Sequence, residues 1–194
     1  MIAADSAISF SWYIYNMYLT RKERTLLIGS SIWLLGEGML GPLFAVFAAE
    51  IGGDVLQISW AWATYLIITG IFSMIIGELS DGGDKARVMI FGYALNALFT
   101  FGYLFVETPL HLFIVQAGLG LASALATPTW NALYAEEENP KHSGFVWGIA
   151  DGDFRFVTGI AILLGGAIVN YFSFRALFVT MGTLQIFATI YQIR

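Results

Sequence analysis

Four ionisable side chains lie inside stretches that are otherwise apolar. The first, Glu37, stands between Gly36 and Gly38, about midway along an apolar run. A charge at the centre of a membrane helix costs roughly 2.5–3.5 kcal/mol on insertion scales. Because the short Glu side chain cannot reach water from that depth, we expect one of two roles. Either Glu37 takes up protons or a cationic solute, or it is a neutral acid hydrogen-bonded to a neighbouring helix.

The other three ionisable side chains lie in the segment ADGDFRF, residues 150–156. Asp151 and Arg155 are four residues apart, so in a helix they share a face and can form an ion pair. Asp153 lies on another face and requires a different partner, for which cavity water is suitable. The segment therefore predicts either a binding site for a proton or solute, or a structural ion pair near a helix end.

Further polar and helix-bending residues complete the candidate site. Gln116 and Asn131 are suited equally to lining a cavity and to making hydrogen bonds between helices. Pro128 has no backbone N–H, so we expect it to kink its helix, and we assign the same role to Pro42. Several tryptophans have faces suited to stacking on a solute, but we favour anchoring at the membrane interface for most of them. They are Trp60, Trp62, Trp130 and Trp147.

The composition indicates which elements must hold these residues. Of the 194 residues 58% are hydrophobic and only 12% are charged, whereas a soluble domain is roughly 25% charged. The excess apolar surface must face lipid, and a spanning helix needs about 20 apolar residues. Six such runs are present, which predicts an all-α membrane protein of six transmembrane helices. The runs cover residues 25–49, 55–76, 88–106, 110–134, 145–171 and 176–193.

The segment before the first run is too short to cross a membrane. It combines aromatic residues with a basic cluster, Arg21, Lys22 and Arg24, which favours a helix lying in the membrane interface. The alternative is an unstructured or wrongly assigned start. We therefore divide the chain into an N-terminal interfacial segment, residues 1–24, and a six-helix transmembrane domain, residues 25–194.

The basic residues lie almost entirely on one side of a six-span arrangement. Arg175 is the exception between spans, and Arg155 lies within a span. Positively charged loops remain in the cytoplasm, so we expect both termini to be cytoplasmic in a plasma or inner membrane. The residues on that side are Arg21, Lys22, Arg24, Lys85, Arg87, Lys141 and Arg194.

The chain also contains an internal repeat. GPLFAVFAAE, residues 41–50, aligns with TPTWNALYAE, residues 127–136, and TGIFSMIIG, residues 69–77, aligns with TGIAILLGG, residues 158–166. The two matches occur in the same order and predict two three-helix units, residues 25–106 and 110–194. Because three is an odd number of spans, the second unit is inverted relative to the first.

The loop after the second span resembles the signature of the major facilitator superfamily, G-x-x-x-D-R-x-G-R-R. It reads GELSDGGDKAR, residues 77–87, and matches in residue type at Gly77, Asp81, Lys85 and Arg87. The Gly-rich fourth span with Pro128, and the fifth span, are also similar to that family. The resemblance covers about residues 26–191 and implies the N-terminal six-helix half of a secondary transporter.

The resemblance implies specific roles. In that family the first helix lines the central cavity, so Glu37 would lie there. Asp81 would latch the cytoplasmic gate. Lys85 and Arg87 would then hold anionic lipid or the loop itself, whereas a plain topology loop explains both without a gate. The third and sixth spans would face lipid, with Asn96 and Gln185 as their main polar exceptions.

Two features depart from the family pattern. Ile114 occupies the place where many proton-coupled members carry an Arg. In the fifth span Gly165 and Gly166 are present, but Ala161 and Ile162 replace the Gly-Pro of antiporters. These motifs therefore give no support to drug–proton antiport.

Three functions compete at this point. The first is secondary transport of a small solute by alternating access, in which Glu37 would carry any proton coupling. The missing half of the cavity would then come from a homodimer partner or from a second six-helix half. The second is a non-transporting membrane scaffold or orphan half, and a truncated twelve-helix protein would have the same sequence. The third, an enzyme, is disfavoured because no catalytic set has usable spacing. With no Cys and two His, we expect no metal, no cofactor and no nucleic-acid partner.

Overall fold

The structure, a computed structural model, describes residues 18–193. This part of the chain contains seven α-helices and one 3-10 turn, residues Tyr103–Phe105. Five of the helices are long and apolar enough to cross a membrane, and a bent pair, α1 with α2, makes a sixth candidate span. The helices are α1 (Arg21–Gly38), α2 (Leu43–Glu50), α3 (Val55–Asp81), α4 (Lys85–Gly102), α5 (Pro109–Glu137), α6 (Ser143–Tyr171) and α7 (Phe174–Gln192).

The N-terminal region differs from the predicted division. Residues 1–17, which carry most of the predicted interfacial helix, lie outside the described residues. The first span begins at Arg21, four residues before its predicted start, because Thr20 caps the helix. The Thr20 side chain accepts a hydrogen bond from the backbone N–H of Glu23, whose own side chain accepts from the Thr20 N–H. This reciprocal capping box satisfies two donors that a helix start would otherwise leave free.

The first span is broken near its middle. Helix α1 ends at Gly38, and α2 starts at Leu43 after a turn, at 42° to α1. Pro42 precedes the first residue of α2, a position where a missing backbone N–H costs nothing. The predicted kink at Pro42 is thus a complete interruption, and Glu37 lies directly before it.

Helix contacts follow a symmetric pattern. Helix α5 packs along α3 and α4, and α1 packs along α6 and α7, while α4 packs against α7. Exchanging the first three spans with the last three leaves this pattern unchanged, because α1 and α5 then swap places, as do α3 with α6 and α4 with α7. Such exchange is expected of two related three-helix units. The residue boundaries of the two units remain a sequence prediction.

Small residues allow the closest of these contacts. A Cβ at Gly92 of α4 would collide with the Ala122 carbonyl oxygen of α5, and one at Gly165 of α6 would collide with the Met39 carbonyl oxygen. Glycine at these positions lets two backbones approach directly, which is a frequent device in membrane helix packing. The neighbouring Gly166, by contrast, faces open space.

The third and sixth spans are not the most exposed ones within the described residues. In the most apolar 18-residue window of each helix, 39% of α4 and 33% of α7 are buried, against 6% of α3 and 11% of α6. That the third and sixth spans face lipid stays a prediction. Low polarity does not decide the ranking, because α4 and α7 pack against each other and against the central helices α5 and α1.

Candidate functional site

A cavity of about 350 Å³ lies beside the break in the first span. It is enclosed by the two central helices, α1 and α5, together with residues from the helices around them. We call it the central cavity and define it by its polar lining residues. These are Glu37, Tyr65, Asn96, Thr100, Tyr103, Gln116, Ser123, Thr127, Thr158 and Gln185.

Glu37 is half-buried in this cavity, and its side chain accepts one hydrogen bond from another side chain. The Tyr65 hydroxyl, from α3, donates to Glu37 Oε1 at 3.4 Å and lies 3.3 Å from Ser123 Oγ of α5. Ser123 Oγ in turn lies 3.5 Å from Thr127 Oγ1. The carboxyl group therefore ends a chain of hydroxyl groups that joins three helices through long, weak hydrogen bonds.

The surroundings of Glu37 favour a positive charge. No Lys, Arg or His is among the described residues that line the central cavity. Glu37 is the second-last residue of α1, where backbone carbonyl groups leave the negative end of the helix dipole. The carboxylate and the helix end together attract a proton or a cation. Among the described residues that line the cavity, no basic side chain neutralises them.

The cavity also holds neutral polar groups without partners. Asn96 and Gln185 are almost completely buried, yet Asn96 Nδ2, Gln185 Nε2 and Gln185 Oε1 make no hydrogen bond within residues 18–193. Gln116, in contrast, accepts from the Tyr103 hydroxyl at 2.9 Å. A buried polar group without a partner costs free energy, so Asn96 and Gln185 are suited to receiving a solute or water.

Sequence reasoning underrated Asn96, Gln185 and Tyr65. The first two were noted as polar exceptions in spans that were expected to face lipid, and Tyr65 was not singled out. An isolated amide in an otherwise apolar span is a usable signal for a cavity residue, because its burial needs a partner. The signal was visible, but the two amides were interpreted as exceptions and not as cavity residues.

A second cavity of about 260 Å³ lies towards the end of the bundle where α1 and α6 begin. This end also carries Arg21, Lys22, Lys85, Arg87 and Lys141, and we call it the basic end. Its aromatic and polar lining residues include Trp33, Trp130, Asn131, Trp147, Asp151 and Asp153. Two of the tryptophans expected to anchor at the membrane interface, Trp130 and Trp147, are thus half-buried cavity residues.

The acidic residues of the fifth span have different partners. Asp153 Oδ2 accepts a hydrogen bond of 2.6 Å from Ser31 Oγ of α1. Asp151 is paired with Arg155 at 2.9 Å, and both side chains are exposed, at 62% and 73%. The structure therefore contains the ion pair that the spacing predicts, and it separates that pair from Asp153, whose partner is on another helix.

The loop that resembles the family signature is tied by ion pairs. Lys85 Nζ lies 2.6 Å from Glu136 Oε1 at the end of α5, and Arg87 lies 2.9 Å from Asp84. Gly77 lies in α3 with open space beside it, and Asp81 is the exposed last residue of α3. The latch role of Asp81 stays a prediction.

The segment EEENPKHSG, residues 136–144, joins α5 to α6. Its first two residues belong to α5, and both make ion pairs: Glu136 with Lys85, and Glu137 with Lys22 at 2.7 Å. The end of α5 therefore holds the start of α1 and the start of α4 together at the basic end. Sequence reasoning missed these pairs because their partners are 115 and 51 residues away.

Pro128 lies inside α5, which continues without interruption from Pro109 to Glu137. Proline cannot donate to the carbonyl of the residue four positions earlier, here Ala124. The next residue, Thr129, donates its hydroxyl to the Leu125 carbonyl at 2.5 Å. Pro128 therefore loosens the backbone beside Thr127, a residue that lines both cavities. Among residues 18–193, no group of three or more His, Asp or Glu side chains is arranged to hold a metal ion.

The chain is similar to membrane transporters. The family model of the Major Facilitator Superfamily matches residues 26–193. An uncharacterised MFS-type transporter of Methanocaldococcus jannaschii, MJ1560, is 27% identical over 81% of this chain and 41% of its own length. The multidrug resistance protein MdtG of Yersinia enterocolitica is 24% identical over 87% of this chain and 42% of its own length. MdtG of Klebsiella pneumoniae is 25% identical over 87% and 42% respectively.

The chain thus spans about two fifths of the length of the curated relatives it matches. The match extends from α1 through α7, and so includes every candidate span of the described residues. Together with the apolar helices, it shows an integral membrane protein that crosses the bilayer several times. The chain belongs to the Major Facilitator Superfamily.

Proposed function

We propose that the chain is one half of a secondary active transporter that moves a small solute by alternating access, coupled to protons through Glu37. The single observation that carries this proposal is the carboxyl group of Glu37 in the central cavity, at a break in the first span and without a basic partner. Interrupted helices that present backbone ends and a carboxylate near the middle of the membrane are suited to binding coupling ions and solutes.

The residues of the central cavity have different roles in this proposal. Glu37 takes up a proton or the positive part of a solute, and Tyr65 orients the carboxyl group through its hydrogen bond. Gln116, Asn96 and Gln185 offer amide groups to the polar parts of the solute. Release of the proton or solute restores a carboxylate whose hydrogen-bond donor among residues 18–193 is the Tyr65 hydroxyl.

One six-helix unit encloses only part of such a cavity, so we propose that a second unit completes it. Helices α3 and α6 supply the surface for this contact, because their apolar side chains are the most exposed in the described residues. The second unit is either another copy of this chain or a separate six-helix half. In this arrangement both termini are on the cytoplasmic side, and Asp81 latches the gate against the second unit.

The solute is proposed to be a small organic molecule. The relatives named multidrug resistance proteins suggest that drug-sized compounds be tested first. Both the central and the basic-end cavities are bordered by tryptophan rings, among them Trp33, which lines both. Aromatic rings favour solutes that have an apolar or aromatic part.

The test uses the purified chain reconstituted in liposomes with an imposed pH gradient and an internal pH-sensitive dye. We expect at least one compound of a panel to accelerate the decay of the gradient in the presence of protein. Glu37→Gln, which keeps the size and removes the charge, should abolish that effect. Glu78→Gln changes an exposed carboxylate of α3 outside both cavities and should leave it unchanged.

The native mass of the protein in mild detergent distinguishes the remaining readings. A stable homodimer with solute-dependent proton flux supports a self-sufficient pair of halves. A monomer without flux supports a missing second half, and coexpression with a C-terminal half of a relative should then restore flux. A chain that shows no flux in either form is a non-transporting scaffold, which contradicts the proposal.

A further inference from the structure

The basic-end cavity combines several tryptophan rings with an unneutralised carboxylate, and neither Glu37 nor Tyr65 lines it. We propose that this cavity is a second binding site, which takes an organic cation with its ammonium group at Asp153 and its apolar part between Trp33, Trp130 and Trp147. The inference concerns binding at a separate place and does not depend on transport through the central cavity.

The rings of this cavity are held in place before any ligand arrives. Trp130 is stacked on Tyr134 with ring centres 4.8 Å apart, and Trp147 meets the same Tyr134 edge-on at 5.2 Å. Trp130 Nε1 also donates to the Leu26 carbonyl at 3.2 Å. A cation over the face of a fixed tryptophan is attracted by the ring quadrupole, and tryptophan is the most favourable of the aromatic side chains for this contact.

The charge of the cavity is negative. Asp153 is half-buried and accepts from Ser31 Oγ, but that hydroxyl has one proton and also lies 2.7 Å from the Leu27 carbonyl. No Lys, Arg or His among residues 18–193 forms a salt bridge with Asp153. The second acid of the cavity, Asp151, is already paired with Arg155, so Asp153 is the carboxylate that is available to a mobile cation.

A third observation points to a ligand in the same place. Trp33 is 8% exposed and lines the cavity, yet its Nε1–H has no hydrogen-bond acceptor within the described residues. Its ring is stacked on Tyr93 with centres 5.3 Å apart. A buried donor without a partner is uncommon in folded proteins, and an oxygen atom of a ligand or of water carried with it would satisfy this one.

The position of the cavity suggests how it would serve the protein. It shares Trp33, Leu34, Thr127 and Phe154 with the central cavity, so the two spaces are separated by one layer of side chains. A cation held at Asp153 therefore lies beside the route from the basic end to Glu37. The second site would raise the local concentration of cationic solutes at the entrance to the central cavity.

The experiment measures binding of radiolabelled benzyltrimethylammonium by equilibrium dialysis of the purified full chain in detergent against protein-free micelles. Benzyl alcohol, which keeps the ring and lacks the charge, serves as the uncharged comparison. We expect saturable binding of the ammonium probe and none of benzyl alcohol. Asp153→Asn should weaken binding about tenfold or more, because the charged partner of the ammonium is lost.

Control variants separate the site from its neighbours. Asp153→Glu keeps the charge and should retain binding, which excludes misfolding as the reason for loss in Asp153→Asn. Trp147→Leu should weaken binding roughly fivefold through the lost ring face, whereas Trp147→Phe should keep part of it. Glu78→Gln, which changes an exposed carboxylate outside both cavities, should bind as the unchanged protein does.

Three outcomes would overturn the proposal. The first is absence of saturable binding by the unchanged protein. The second is equal binding by Asp153→Asn. The third is loss of binding in Glu37→Gln with full binding in Asp153→Asn, because the cation would then be held in the central cavity alone.

Discussion

The central cavity and the basic end of the bundle use the same residue types in opposite ways. At the basic end, four carboxylates are paired with basic side chains at 2.6–2.9 Å, as in Lys85–Glu136 and Asp151–Arg155. In the central cavity, Glu37 has a tyrosine hydroxyl at 3.4 Å and no basic partner among residues 18–193, and Asn96 Nδ2 and both Gln185 amide atoms make no hydrogen bond there. Asp153 resembles Glu37, because its partner is a hydroxyl group and not a basic side chain.

The difference shows where this protein keeps polar groups available. Paired charges at the water-exposed end cost little and contribute little, because water and ions screen them. Unpaired polar groups inside the helix bundle are costly, so their presence indicates a use other than stability. The predictions that follow either remove this difference or make it larger, and they begin with the largest expected effect.

The largest effect should come from giving Glu37 a fixed cation of the kind that the basic-end acids have. Ser123→Lys places an ammonium group on α5 beside Tyr65, within reach of the Glu37 carboxylate. We expect complete loss of solute-dependent proton flux in liposomes, because a permanent ion pair leaves no carboxylate for a proton or solute. Ser123→Gln, similar in length but neutral, should retain flux, and its failure to do so would indicate a purely steric effect.

Removing the hydroxyl that orients Glu37 should have a smaller effect. Tyr65→Phe keeps the ring and deletes the donor to Glu37 Oε1. One hydrogen bond contributes about 0.5–1.5 kcal/mol, so flux should fall roughly three- to tenfold. Thr64→Val, which removes a hydroxyl that donates to the Trp60 carbonyl in the same helix, is the matched control and should leave flux near its original value.

The unpaired and the paired amides of the central cavity should respond oppositely to the same change. Gln185→Leu removes buried amide atoms that have no partner and should raise the free energy of unfolding by about 1 kcal/mol. Gln116→Leu strands the buried Tyr103 hydroxyl and should lower it by about 1–2 kcal/mol. Thermal unfolding in detergent measures both. Lower stability of Gln185→Leu would mean that Gln185 serves packing rather than solute binding.

The ion pair between Lys85 and Glu136 at the basic end should contribute little to stability. Lys85→Glu breaks the contact with Glu136 and should disturb the loop between α3 and α4 slightly. The charge-reversed double variant, Lys85→Glu with Glu136→Lys, should restore the original protease resistance of that loop. Limited proteolysis provides the measurement, and equal sensitivity of single and double variants would show that this pair does not hold the loop.

The smallest effect is expected at Asp151. One alternative predicted from the spacing of Asp151 and Arg155 is a structural ion pair. Both side chains are mainly exposed in the structure, so Asp151→Asn should change neither the yield nor the melting temperature measurably. A clear decrease in either would show that the pair is supported by contacts beyond those of the six-helix unit.

Much of the fold could be predicted because the hydrophobicity of each stretch can be read from its own residues. Each apolar run became a helix, since a backbone in lipid must satisfy its own hydrogen bonds, and Gly, Pro and capping residues mark most ends within a few positions. The break at residues 39–42 was less visible, because Pro42 alone does not distinguish a kink from an interruption. Which helices are most exposed within the six-helix unit could not be predicted from polarity, since exposure depends on neighbours.

The candidate site could likewise be predicted only in part. The sequence by itself determined that Glu37 and Asp153 are isolated acids in apolar spans, because the cost of charge in lipid makes such residues conspicuous. Only the tertiary structure decided their partners: Tyr65 is 28 residues from Glu37, and Ser31 is 122 residues from Asp153. It also decided that Trp130 and Trp147 border a cavity and that Glu136 and Glu137 tie two helix starts together. Pairing between distant segments follows from how helices pack, and no local pattern of residues records that packing.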